Sequence, residues 1–199
     1  NRIFAIKPSG VDYDTLTPAD IVIVDFDGKV VEGCLRPSSD TPTHAVLYRE
    51  FSGIGGIVHT HSGFATAWAQ ARRDIPLYGT THADHLSGPV PCTEWMEDAR
   101  IAGDYEVETG RQIVDCFRQR HLAPEEVEMV LVGGHGPFAW GKSAAKADYN
   151  ARGLEELART ALLTEQINPA AVPLKASLVA KHYNRKHGKN AYYGQVENE

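Results

Sequence analysis

His59 and His61, in the stretch GGIVHTHSGFATAWA, stand two residues apart directly after the apolar pair Ile57-Val58. Alternate residues of a strand point to one face, so the two imidazoles should project together from a strand end. Neutral imidazole is a common ligand of divalent metals, and such a pair is half of a chelate in need of partners. A third histidine, His135, also follows an apolar strand in VLVGGHGPFAWG, where Gly133, Gly134 and Gly136 permit close backbone approach. Three imidazoles that leave one position open are the catalytic form of a zinc site, whereas a closed site rich in cysteine would be structural. A lone histidine is ordinarily a surface or satisfied core residue, and that reading is kept for His44, His121 and His187.

Asp40, in RPSSDTPTH, is a carboxylate among hydroxyl and backbone donors. Its bland role is a turn or helix cap, because Asp and Thr are common just before a helix. Ser38 and Ser39, with KPSG earlier in the chain, also suit a loop that binds phosphate through hydroxyls, backbone N–H groups and one lysine. Taken singly these motifs read as turns. Beside a metal site they describe a phosphorylated small molecule held at one end and polarised at the other.

The elements that must position these residues alternate short apolar runs with turn chemistry. RIFAIKPSG reads as a strand entering a Pro-Ser-Gly loop, and DIVIVDFDGKVVEG as a hairpin turned at Asp27-Gly28. Helices are expected from about Thr43, from Ser62 to Ala71, and from Thr109 to about Arg120. Ser143 should cap a long helix, since Ala147, Ala151, Leu154, Ala158 and Leu162 follow the 3.6-residue period. DIPLYGTTHADHLSG reads as irregular, and the tail KHYNRKHGKNAYYGQVENE shows no period. The expected fold is one α/β domain over residues 1–199, with a mixed or antiparallel sheet flanked by helices.

Composition narrows the function. At 199 residues and 42% hydrophobic, the chain can build a core without a structural metal. Its net charge of -6 argues against a nucleic-acid or anionic-membrane partner, so an anionic substrate needs a local site. The three separated cysteines, Cys34, Cys92 and Cys116, suit a reducing, cytoplasmic compartment rather than a disulfide framework. Asn1 opens as if already inside a strand, and the expectation is that an N-terminal part lies upstream.

The blocks IKPSGVDY, PSSDTPTH, GGIVHTHS, GTTHAD, HGPFAWGK, KHY and YYGQ together resemble the L-ribulose-5-phosphate 4-epimerases of the class II aldolase and adducin-type superfamily, in consistent order over nearly the whole chain. The resemblance implies a central antiparallel sheet flanked by helices, and a homotetramer with active sites between subunits. It implies a divalent metal, zinc by preference, on the residues matching His59, His61 and His135, with Asp40 at the fourth position. Phosphate contacts carry over to Ser9, Gly10, Ser38 and Ser39 with Lys7 nearby. Asp84 and Tyr193 match the acid/base pair, and Thr80 and His182 line the same interface. Two departures stand out: the family's N-terminal helix and Gly-Asn phosphate loop have no counterpart here, and His85, Leu86 and Ser87 replace an aromatic-rich segment.

The implied reaction interconverts L-ribulose 5-phosphate and D-xylulose 5-phosphate. The C4 hydrogen is not acidic, so C4 is inverted by breaking and re-forming the C3–C4 bond, with proton-transfer groups on opposite faces of the rotating aldehyde. The alternatives are an aldolase that releases the two fragments and a non-catalytic module like the adducin head. An open histidine triad argues against the latter.

Overall fold

The computed structural model describes residues 2–189 and 191–192. In chain order the elements are β1 (Ile3–Ile6), β2 (Val22–Asp25), β3 (Val30–Glu32), α1 (Thr41–Glu50), β4 (Gly56–His59), α2 (Gly63–Ala71), α3 (Thr80–Ala83), α4 (Asp98–Ile101), α5 (Tyr105–Gln119), β5 (Met129–Val132), β6 (Gly136–Gly141), α6 (Ala144–Ile167) and α7 (Ala176–His187). They group into two compact units, one of residues 1–55 and 95–125, the other of residues 56–94 and 126–199.

In the first unit β1, β2 and β3 form an antiparallel sheet. Alternation places Phe4, Ile6, Val22 and Val24 on the buried face. Phe4 meets Phe26 and, from α1, Tyr48, at centroid distances of 5.8 and 5.1 Å. The predicted hairpin is present, with Gly28 at φ +81° in its turn. α1 and α5 approach closely because residue 110 is glycine: a Cβ there would lie 2.7 Å from the Val46 side chain. Thr43 Oγ1 adds a 2.6 Å hydrogen bond to the Glu106 carbonyl.

In the second unit the strand order is β4-β6-β5, again antiparallel. Every residue of β5 and β6 is buried, as expected for strands covered on both faces. α6 lies directly on this sheet. A Cβ at Gly56 would meet the Ala144 backbone at 2.6 Å, and Asn150 Nδ2 donates to the Trp140 carbonyl and to Glu128 Oε2, both at 2.7 Å. Trp68 Nε1 of α2 donates to the Ala158 carbonyl of α6 at 2.9 Å, inside a core that includes Ile75, Leu86, Leu131 and Leu154.

The pairing is antiparallel and the strands are flanked by helices, as expected; among the described residues the ladders form two three-stranded sheets, one in each unit. Ser143 caps α6 by accepting from the Lys146 N–H at 3.2 Å. Two segments read as irregular are helical. GTTHAD contains the single turn α3, too short to show a period, and the tail begins inside α7, whose second half it supplies. α7 has no fully buried residue, so no apolar stripe marked it in the sequence.

Candidate metal centre and flanking carboxylate

His59 is the last residue of β4 and pairs with Phe138 of β6, on whose ring its imidazole stacks at 4.0 Å between centroids. Its Nδ1 lies 2.9 Å from the Pro137 carbonyl oxygen. With Nδ1–H donating there, Nε2 keeps its lone pair, the arrangement that orients a metal-ligating histidine. That Nε2 stands 3.2 Å from His61 Nε2. His135 occupies the turn joining β5 to β6, where its N–H donates to Val132 O at 2.9 Å and the preceding Gly134 has φ +74°. The His135 ring is 4.8 Å from His59 and 5.0 Å from His61. Gly136 is required by the crowding: a Cβ there would sit 2.9 Å from Thr60 O and 3.2 Å from the His61 ring.

One ligand nitrogen from each of the three histidines falls within 4.8 Å of the others. Tetrahedral zinc at its usual Zn–N distance spans about 3.3 Å between ligands, close to the His59–His61 separation. The three residues therefore fit a divalent cation, although His61 lies beyond the end of β4 rather than in the strand as the spacing suggested.

The residues expected to hold phosphate lie in the first unit on two loops joined by the Pro8–Pro37 bridge. Ser9 N–H donates to Arg36 O at 2.9 Å, and Ser38 N–H to Lys7 O at 3.0 Å. Ser9, Gly10 and Ser39 are exposed, and Gly10 has φ +71°. Lys7 Nζ turns onto the carbonyls of Pro8, at 3.2 Å, and Val11, and lies over the Tyr13 ring. Asp40 occupies the N-cap position of α1 without a side-chain cap bond. Instead it accepts from Ser38 Oγ at 3.3 Å while its own N–H donates back to that hydroxyl at 3.2 Å. The carboxylate is thus not used as a cap.

In the second unit Thr80 opens α3 and Asp84 closes it, the Asp84 N–H donating to Thr80 O at 2.9 Å. The Asp84 side chain is gripped by α7. His182 Nδ1 lies 3.0 Å from Oδ1, Arg185 makes contacts of 2.7 and 2.9 Å to the two oxygens, and Lys186 Nζ is 3.5 Å from Oδ2. Burial acts to raise the Asp84 pKa, but hydrogen bonds from Arg185 and His182 and the charges of Lys186 and Arg185 outweigh it and hold the carboxyl below its usual value. His187 Nε2 is 3.0 Å from the Asp84 carbonyl, a contact consistent with the surface reading kept for it in the sequence. Arg185 and Lys186 were not singled out in the sequence, and their placement in the basic last turn of α7 was the available signal. His85 stacks on Tyr149 with ring centroids 5.5 Å apart. Tyr193 lies outside the described residues.

No helix among the described residues is long and apolar enough to cross a membrane. A family model described as Class II Aldolase and Adducin N-terminal domain matches residues 1–162. A Salmonella paratyphi B (strain ATCC BAA-1250 / SPB7) protein named L-ribulose-5-phosphate 4-epimerase UlaF is 51% identical over 193 residues, covering 97% of this chain and 84% of its own. The protein of the same name from Salmonella typhi is 50% identical over the same shares. Among solved structures, an L-fuculose 1-phosphate aldolase superposes with a TM-score of 0.74 at 23% identity, over 92% of this chain and 80% of its own. The L-fuculose-1-phosphate aldolase of Thermus thermophilus gives 0.64 at 24%, over 84% and 81%. These structural likenesses bear on the fold, and the sequence matches on descent: the chain belongs to the class II aldolase and adducin family.

Proposed function

We propose that the protein is a metal-dependent epimerase that interconverts L-ribulose 5-phosphate and D-xylulose 5-phosphate by cleaving and re-forming the C3–C4 bond. The observation that carries this reading is the open triad of His59, His61 and His135 in a chain half identical to proteins named for that reaction. Zinc held by the triad, with Asp40 as fourth ligand, would supply Lewis-acid polarisation of the substrate carbonyl. Ser9, Gly10, Ser38 and Ser39 hold the phosphate, with Lys7 adding charge once it leaves its own loop carbonyls. Asp84 and Tyr193 exchange protons with the C4 oxygen from opposite faces, and Thr80 and His182 line the same region. The phosphate anchor lets glycolaldehyde phosphate rotate before the bond re-forms. We further place the active sites between subunits of a homotetramer and the enzyme in the cytoplasm.

The test is to incubate the purified protein with L-ribulose 5-phosphate and zinc and separate the products. D-xylulose 5-phosphate with only traces of free fragments is expected. Stoichiometric dihydroxyacetone and glycolaldehyde phosphate, without D-xylulose 5-phosphate, would make the chain an aldolase and overturn the proposal.

A further inference from the structure

His59 and His135 are held by the sheet, one at the end of β4 and the other in the β5–β6 turn. His61 is not. The ladder thins at Thr60, whose N–H reaches Pro137 O only at 3.4 Å, and the exposed His61 follows. The sole hydrogen-bond contact of its ring among the described residues is with His59. Its position therefore depends on what fixes the chain immediately after it, the first turn of α2.

That turn lacks a local cap. Ser62 occupies the N-cap position but makes no capping hydrogen bond, and its Oγ is buried without a partner. Two of its N–H groups are satisfied from another helix: Glu155 of α6 accepts from Phe64 N–H through Oε1 and from Ala65 N–H through Oε2, both at 2.9 Å. A carboxylate at a helix N-terminus meets both the unpaired donors and the positive end of the helix dipole. α6 is in turn fixed to the strands that carry the other two histidines, through Asn150 and the close contact at Gly56.

We propose that Glu155 is a positioning residue for the metal centre. Its bidentate clasp on the start of α2 sets His61 at chelating distance from His59 and His135. The inference rests on the triad holding a metal, and no contact between Glu155 and substrate is involved. A glutamate serving only to stabilise a helix would cost thermal stability when removed but leave metal affinity unchanged. A positioning residue must alter the affinity of the folded protein.

The experiment measures zinc affinity of the full chain by competition with a chromophoric chelator, together with the melting temperature of the metal-free protein, for wild type, Glu155→Gln and Glu155→Ala. Glu155→Gln keeps one carbonyl acceptor and loses the charge and the second clasp, so a severalfold drop is expected. Glu155→Ala should fall about tenfold or more, the range seen when a group supporting a metal ligand is lost. Should the alanine variant fail to fold, the glutamine variant decides. Wild-type affinity in a folded Glu155→Gln protein, or in both variants, overturns the proposal while leaving the metal site standing. Failure of the wild-type chain to bind zinc overturns both.

Discussion

Arg185 straddles the carboxylate of Asp84, with Nη2 2.7 Å from Oδ2 and 2.9 Å from Oδ1 and Nε 3.1 Å from Oδ1. A planar guanidinium against a carboxylate is the geometry in which arginine binds most specifically, and lysine does not reproduce it. The pairing bears on the proposed chemistry. An aspartate held ionised by a cation is available as a proton acceptor at neutral pH but gives up its proton readily, so the clasp sets where the acid limb of the reaction falls.

Replacing Arg185 with methionine should therefore raise the Asp84 pKa, because the strongest group opposing burial is gone. The acid limb of kcat/KM should move to higher pH, with the plateau reduced as well. Arg185→Lys should move it less. Profiles recorded from pH 4.5 to 8 check this, and an acid limb identical to that of wild type would show that Asp84 does not carry that ionisation.

His82 supplies a second pH effect, on stability rather than turnover. It is 4% exposed, and its Nε2 has no hydrogen-bond partner. Burial lowers its pKa, with carbonyls of Gly88 and Pro76 opposing and His85 assisting, to about 4. Below about pH 6.5 the unfolded chain takes up a proton that the folded chain refuses until about pH 4, so stability falls as pH drops through that window and is unaffected by this group above it. Between pH 7 and 5 the loss from this one site is of order 2 kcal/mol. In His82→Gln the unfolding midpoint in urea should depend less on pH over that interval, even if it is lower throughout. An equally steep dependence would place the acid sensitivity elsewhere.

How far the sequence revealed these features follows from the distances along the chain. The His59–His61 pair was suggested by a strand's two-residue period, although β4 ends at His59 and His61 stands just beyond it. His135 was suggested by its glycines, and the structure gives the reason at Gly136, where any side chain would strike Thr60 and His61. Ser143 and the long helix after it combined a cap with an unbroken apolar period, two local signals that agree. The grip on Asp84 had no such signature. Its partners lie about 100 residues away on a helix with no fully buried face, and neither periodicity nor local motif connects the two. The Glu155 clasp on α2 was hidden for the same reason, since a cap supplied from another helix leaves no mark beside the residues it caps. The resemblance to a family supplied roles for Asp84 and Tyr193 that their local sequence could not.

The proposal that active sites lie between subunits makes a prediction that does not depend on the fine geometry of any one site. If Tyr193 from one subunit serves a centre whose histidines belong to its neighbour, the two halves can be disabled separately. A chain ending at Gly188 lacks the tyrosine and keeps the triad. A His135→Asn chain keeps the tyrosine and loses a metal ligand. Each should be inactive as a pure oligomer, since each removes a group from every site. Co-refolded or subunit-exchanged mixtures should regain a fraction of wild-type activity, because some sites then pair an intact triad with an intact tail. The recovered activity should rise with the degree of mixing and peak near equal proportions, where hybrid interfaces are most abundant. Hybrid formation can be verified by differential affinity tags on the two chains before activity is measured. Verified hybrids that remain inactive at every proportion would count against a shared site and return Tyr193 either to its own subunit's centre or to no role in proton transfer.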